Sequence, residues 1–233
     1  MTERSFETIA GMQTGRILRK LETSALSDAL GKTGAMDHGI RCWSANSRMA
    51  GPAYTVRVHT ADILMVSKAL SECPAGSVLV IDGHGETNTA LWGGLTTMAA
   101  HRKALAGVVV DGAIRDAAEI RRSRLPVFAR SAVPNAGGAE YLGELAVCVS
   151  CGGLPVQPGD WVVGDDDGVV VIPAAKLDHA IAGAQAILKA EAAIAKRVRA
   201  GEDLASILRV GEVIDRKRSG TFIPQLRASE GAQ

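Results

Sequence analysis

The sequence predicts an α/β sandwich built on a mixed sheet, and three observations carry that fold class. Three short apolar runs rich in β-branched residues, Tyr54 to Val58, Val78 to Ile81 and Val108 to Val110, each end in polar or glycine-rich punctuation and read as buried strands. Between the second and third, ALWGGLTTMAAHRKAL repeats Leu91, Leu95, Met98, Ala99 and Leu105 at roughly helical spacing. A strand, helix, strand crossover of this kind pairs its strands in parallel. Later, WVVGDDDGVVVIP sets a DDDG turn between two Val-rich runs, a hairpin that adds antiparallel strands.

Taken in order, residues 1–23 form an N-terminal helical extension, 24–173 the sandwich domain, and 174–233 a C-terminal helical segment that packs on the domain or on a neighbouring subunit. Arg115 to Ser123 is a short charged helix, after which Pro126 resets the chain for the strand VFAR. AVCVS supplies another strand. From Ala174 the chain turns Ala-rich and helical to about Ala200, where Gly201 stops it. No Pro/Ser-rich linker divides the 233 residues, so one domain is expected.

Composition narrows the function. Lys+Arg 26 against Asp+Glu 25 gives no basic groove for nucleic acid and no charged face for a membrane. The N-terminal MTERSFETIAGMQTGR lacks the continuous apolar stretch of a secretory signal, and no run reaches the roughly 20 apolar residues that span a bilayer. A cytoplasmic protein is expected. Cys42 and Cys73 stand alone, and Cys148 and Cys151 form a lone CxxC with no second pair to complete a zinc site, so the cysteines read as structural. With 26 glycines and only three Phe, two Tyr and three Trp, the core falls to Val, Ile, Leu and Ala.

In open α/β sheets ligands collect at the carboxyl ends of strands, where helix N-termini present unbonded N–H groups. VLVIDGHGE and GVVVDGAIRD both finish Asp-Gly, and Asp82 and Asp111 read as turn formers or caps. The second run continues into Arg115-Asp116. WGGLTTMAA opens a helix after a strand end, so the amides of Gly93, Gly94, Leu95 and Thr96 can converge on an anion. The crossover brings Arg115 back beside them, giving a small carboxylate both amides and a guanidinium fork. His84 and Glu86 follow a strand end and could border this pocket; their roles stay open. No GxSxG elbow supports a Ser/His/Asp reading, and no glycine-rich nucleotide loop supports a methyltransferase.

GPAYTV, VIDGHG, the GGL helix start, GVVVDGAIRD, PVFAR, PGDWVVGDDDGVVVIP and the long C-terminal helix occur in this order. The chain thereby resembles the RraA-like family, the regulators of ribonuclease E activity and the 4-hydroxy-4-methyl-2-oxoglutarate / 4-carboxy-4-hydroxy-2-oxoadipate aldolases, from about Ser24 to Asp203. The resemblance implies a swivelling β/β/α sandwich, assembled as a homotrimer or a hexamer of two trimers with sites at subunit boundaries. It implies that Arg115 binds a pyruvyl carboxylate, that Asp116 is the direct ligand of a divalent cation, Mg²⁺ or Mn²⁺, and that Gly93 to Thr96 complete the substrate cradle. The family's aldolases carry an Asp, twenty intervening residues, then Arg-Asp. The first Asp would stand at position 94, where this chain has Gly94. The acids presented by a neighbouring subunit match best at Asp28 and Glu191.

Breaking a C–C bond beside a 2-oxo group leaves a pyruvate enolate, which either a Schiff-base lysine or a bound metal ion can stabilise. None of the lysines sits in an apolar strand where desolvation would make it nucleophilic, so the metal route is expected. The same enolate arises from oxaloacetate by loss of CO₂. The expected activity is that of a metal-dependent lyase on a small 2-oxo acid, and the alternative is a non-catalytic regulator that binds a ribonuclease.

Overall fold

The computed structural model of the chain describes residues 3–220, with side chains from residue 11 onward. The outermost parts of both predicted end segments, residues 1–2 and 221–233, lie outside the described residues. Helices α1 (Glu3–Leu18) and α2 (Thr23–Ala29) lead into β1 (Arg41–Cys42) and β2 (Met49–Arg57). Then come α3 (Leu64–Glu72), β3 (Val78–Trp92), α4 (Gly94–Arg102), β4 (Gly107–Ile114), α5 (Ala117–Ile120) and β5 (Val127–Ala132). The late strands are β6 (Glu144–Leu145), β7 (Val149–Cys151), β8 (Leu154–Val156), β9 (Trp161–Asp165) and β10 (Gly168–Ile172). Helices α6 (Leu177–Arg199), α7 (Leu204–Ile207) and α8 (Val210–Arg218) follow.

The main sheet runs β1-β5-β4-β3-β2-β9-β10. Strands β2 to β5 pair in parallel through the crossovers, while β9 pairs antiparallel with both β2 and β10. The DDDG turn joins β9 to β10 with Gly168 opposite Asp165, the predicted hairpin. Strand β2 serves both regions, pairing through Met49 to Pro52 with β9 and through Ala53 to Arg57 with β3.

Three apolar clusters define the layers, and strand alternation sorts residues between them. Leu79 and Ile81 of β3 face the α3/α4/α5 side together with Val108, Val110 and Ile120. Val78 and Val80 face the opposite side, with Val109, Phe128, Val162 and Val171. Outside β9 and β10, Leu18, Leu26, Ala180 and Ala184 of α1, α2 and α6 bury against Trp161, Val163, Val170 and Ile172. The result is the β/β/α layering the resemblance implies, with α1, α2 and α6 added outside β9 and β10 and few aromatic rings in the core. Among the described residues no helix is long and apolar enough to cross a membrane.

Two predicted boundaries move. The helix read from ALWGGL begins only at Gly94, because β3 continues through Trp92. Opposite Asp111 to Ile114 of β4, β3 slips register three times, so residues 83–85 and 87–89 are extruded on either side of the Glu86–Gly112 pair without ending the strand. The charged helix expected from Arg115 to Ser123 is a single turn, Ala117–Ile120.

Asp82 and Asp111 do more than form turns. Both are buried. Asp82 accepts the local His84 N–H at 3.2 Å, but also the Ser150 N–H at 3.1 Å, with Arg57 Nε 3.7 Å away. Asp111 accepts the Gly152 N–H at 2.7 Å and the Arg130 guanidinium, with no local turn bond. A carboxylate survives burial only with such partners, so the two acids pin β7 and the turn after it onto the parallel sheet.

The CxxC pair divides between environments: Cys148 is exposed and Cys151 buried, and all four thiols are free. Burial pushes the Cys73 thiol up to about 12, against a weaker opposing pull from Lys103. Burial likewise holds Cys151 well above the usual thiol range. An aromatic disulfide reagent at pH 8 is therefore expected to titrate Cys148 fast and Cys42 slowly, and to reach Cys73 and Cys151 only after denaturation. Rapid reaction of all four in the native protein would contradict this packing.

Candidate active site

The site forms where β4 ends beside the start of α4. The Arg115 N–H donates to the Trp92 carbonyl at 2.9 Å, which ties the end of β3 to the residue after β4. Asp116 then takes a left-handed conformation, φ 57 and ψ 37, and caps α5. That turn carries its carboxylate back to α4, where Oδ2 accepts the Gly94 N–H at 3.0 Å and lies 3.6 Å from Arg115 Nε. Arg115 and Asp116 are both exposed, at 44% and 43% of their side-chain surface, so the pair is open to a ligand.

The amide cradle is narrower than the sequence predicts. The Gly93 N–H donates to Thr96 Oγ1 at 2.9 Å, and the Gly94 N–H is taken by Asp116. Leu95 and Thr96 keep first-turn amides that no described residue accepts. Two amides and the Arg115 guanidinium remain for an incoming carboxylate.

At Gly93 a β-carbon would lie 2.8 Å from Asp116 Oδ2 and 3.1 Å from Arg115 Cγ, so any larger residue there would displace the Arg115–Asp116 pair. At Gly94 a β-carbon would fall 2.5 Å from the carboxyl carbon of Glu119 and 2.9 Å from its Oε1. The space that an Asp side chain at position 94 would enter is thus filled by the Glu119 carboxylate, reaching over from α5. The sequence reading missed Glu119. Its signal is the spacing Arg115-Asp116-Ala117-Ala118-Glu119, which sets an acid one helical turn beyond Asp116.

Other predicted residues lie elsewhere. The His84 ring Nε2 pairs with the Val58 carbonyl at 2.9 Å, and its Nδ1 lies 3.5 Å from Asp82. The Glu86 carboxylate accepts the Asn88 N–H within the extruded part of β3. Asp28 is exposed on α2 and Glu191 on α6, two helices that pack on each other at the β9/β10 end. Among the described residues no three His, Cys, Asp or Glu side chains stand together as a metal cage.

The model of the RraA-like family, described as Aldolase/RraA, matches residues 23–171. The chain belongs to the RraA-like family. Within reach of this RraA-like chain is a Halalkalibacterium halodurans protein provisionally named 4-hydroxy-4-methyl-2-oxoglutarate aldolase, 40% identical over 155 residues, 66% of this chain and 74% of that one. The 4-hydroxy-4-methyl-2-oxoglutarate aldolase of Thermus thermophilus is 37% identical over 65% of this chain and 92% of its own length. A solved structure described as the RNA-processing inhibitor RraA, also from Thermus, superposes with TM-score 0.61 at 37% identity, over 65% of this chain and 92% of that one. The RraA-like relatives therefore bear both kinds of name, aldolase and RNA-processing inhibitor.

Proposed function

We propose that this RraA-like chain is a divalent-metal-dependent lyase acting on a pyruvyl-containing 2-oxo acid. The reactions are retro-aldol cleavage of the 4-hydroxy-4-methyl-2-oxoglutarate type and decarboxylation of oxaloacetate. One observation carries the reading: Asp116 is bent into a left-handed turn that presents its carboxylate beside Arg115, Glu119 and the open end of α4.

Arg115 takes the substrate carboxylate in a bidentate grip, and the Leu95 and Thr96 amides complete that subsite. Asp116 offers an exposed carboxylate oxygen as direct ligand to one Mg²⁺ or Mn²⁺, and the exposed Glu119 carboxylate beside it would order water that the ion retains. Such an ion supplies positive charge to the 2-oxo oxygen as the carbon–carbon bond breaks. The Gly94 amide holds the carboxylate of Asp116 in place, and Arg115 orients the acid. Leu95 and Met98, exposed at 77% and 55%, rim this opening. A second copy of the chain, in a homotrimer or a hexamer, would cover them and bring Asp28 and Glu191 to the site.

The second reading, a ribonuclease-binding regulator, is favoured by the relative described as an RNA-processing inhibitor. Two measurements separate them. With oxaloacetate and Mg²⁺ or Mn²⁺ the protein is expected to release pyruvate, and Arg115→Ala to raise KM steeply through loss of the carboxylate grip. In deuterated buffer the methyl hydrogens of pyruvate are expected to exchange. A protein that does neither, yet slows a ribonuclease, is the regulator.

A further inference from the structure

A cavity lies at the opposite end of the parallel strands from Asp116. It is about 510 Å³ in volume and sits between the C-terminal half of α1, the first half of β2 and the 74–77 turn before β3. That size falls within the roughly 300–1,000 Å³ range of small-molecule sites. Its origin is in the sequence. Gly11 and Gly15 stand one helical turn apart on the wall that α1 contributes, so the helix leaves gaps between Met12, Arg16 and Arg19 where larger side chains would close on the strands. A β-carbon at Gly15 would reach the Ala50 carbonyl at 3.4 Å and the Trp161 ring at 3.6 Å, whereas one at Gly11 would meet nothing within 4 Å.

The chemistry of the lining is one-sided. Arg16 and Arg19 line the cavity, both are exposed, and among the described residues neither guanidinium has a carboxylate or carbonyl partner. Among the described residues no acidic side chain lines it. The Tyr54 hydroxyl is occupied by Glu72 at 3.2 Å, and the Gly76 and Ser77 amides donate to the Ala104 and Pro74 carbonyls. The remaining wall, Met12, Ala50, Pro52, Ala53, Pro74 and Ala75, is apolar. Bare phosphate would find no amide nest here, and a neutral apolar molecule would leave two cations unanswered.

We propose that this cavity binds a small amphipathic organic anion, its acidic head between Arg16 and Arg19 and its apolar body on the β2 floor. The C-terminal end of α1 carries partial negative charge, so the head group depends on the two guanidinium groups and not on the helix. The assignment is independent of the lyase reading, since no residue of the cavity belongs to the Asp116 site.

Isothermal titration calorimetry of the full chain tests it with sodium octanoate as probe, and acetate and octanol as head-only and body-only controls. Octanoate is expected to bind saturably at one site per chain, with both controls much weaker. Arg16→Gln with Arg19→Gln should weaken octanoate at least about tenfold by removing both charge-assisted bonds. Gly11→Leu, which fills the open wall, should abolish binding. Thermal melts and pyruvate release without octanoate should be unchanged in both variants. Failure of octanoate to bind, octanol binding as tightly, or an unaltered affinity in the double variant would each overturn the proposal.

Discussion

Asp116→Gly is expected to lower pyruvate release from oxaloacetate by about a hundred- to a thousandfold, the usual loss when one pre-aimed electrostatic group is removed from a site. The same variant is expected to melt no lower than the parent protein. The two effects separate because of the backbone. Asp116 sits at φ 57, ψ 37, a left-handed conformation that costs an L-residue with a β-carbon roughly 1–2 kcal/mol and glycine almost nothing. Glycine thus recovers strain that offsets the lost bond from the Gly94 N–H. Asp116→Ala keeps the strain and also loses that bond, so it should lose activity equally and melt lower. Differential scanning calorimetry beside the pyruvate assay checks both. A glycine variant with undiminished turnover would remove Asp116 from the chemistry, and an alanine variant as stable as the glycine one would remove the strain argument.

The layers of this fold were open to sequence reading because continuous β-branched runs such as VVV and VLVI, joined by a helical crossover, mark strands buried on both faces. The hairpin at DDDG was equally plain, and so was the convergence of Arg115-Asp116 with the GGL helix start. What was hidden depended on partners distant in sequence. Asp111 looks like a turn former until Arg130 and the Gly152 amide, supplied by later segments, bury it. The extrusion within β3 could not be read from DGHGETN, since glycine and polar residues there look the same whether a strand ends or bulges. Glu119 escaped because nothing in its own neighbourhood says that its carboxylate reaches across to Gly94; only the placement of α5 against α4 says so.

That placement yields a reciprocal prediction. If the Glu119 carboxylate does the work of the acid absent at position 94, Glu119→Ala should cost roughly ten- to a hundredfold in turnover, more at low Mg²⁺ than at saturation, since an oriented outer acid acts through metal affinity. Gly94→Asp alone should give no gain, because its new side chain enters space that Glu119 already fills. Glu119 is exposed and can swing out, but the new acid then stands beside Asp116 and Glu119 together, and like charges so close disfavour one another. Combining Gly94→Asp with Glu119→Ala removes the collision and keeps the number of carboxylates constant, so turnover and Mg²⁺ affinity should return to within a few-fold of the parent. The quantity to extract is the coupling between the two sites from the four-protein cycle, which for groups competing for one space departs far from additivity. Simple addition of the two single effects would mean that the acids occupy separate places, and that Glu119 is only a solvated residue on a one-turn helix.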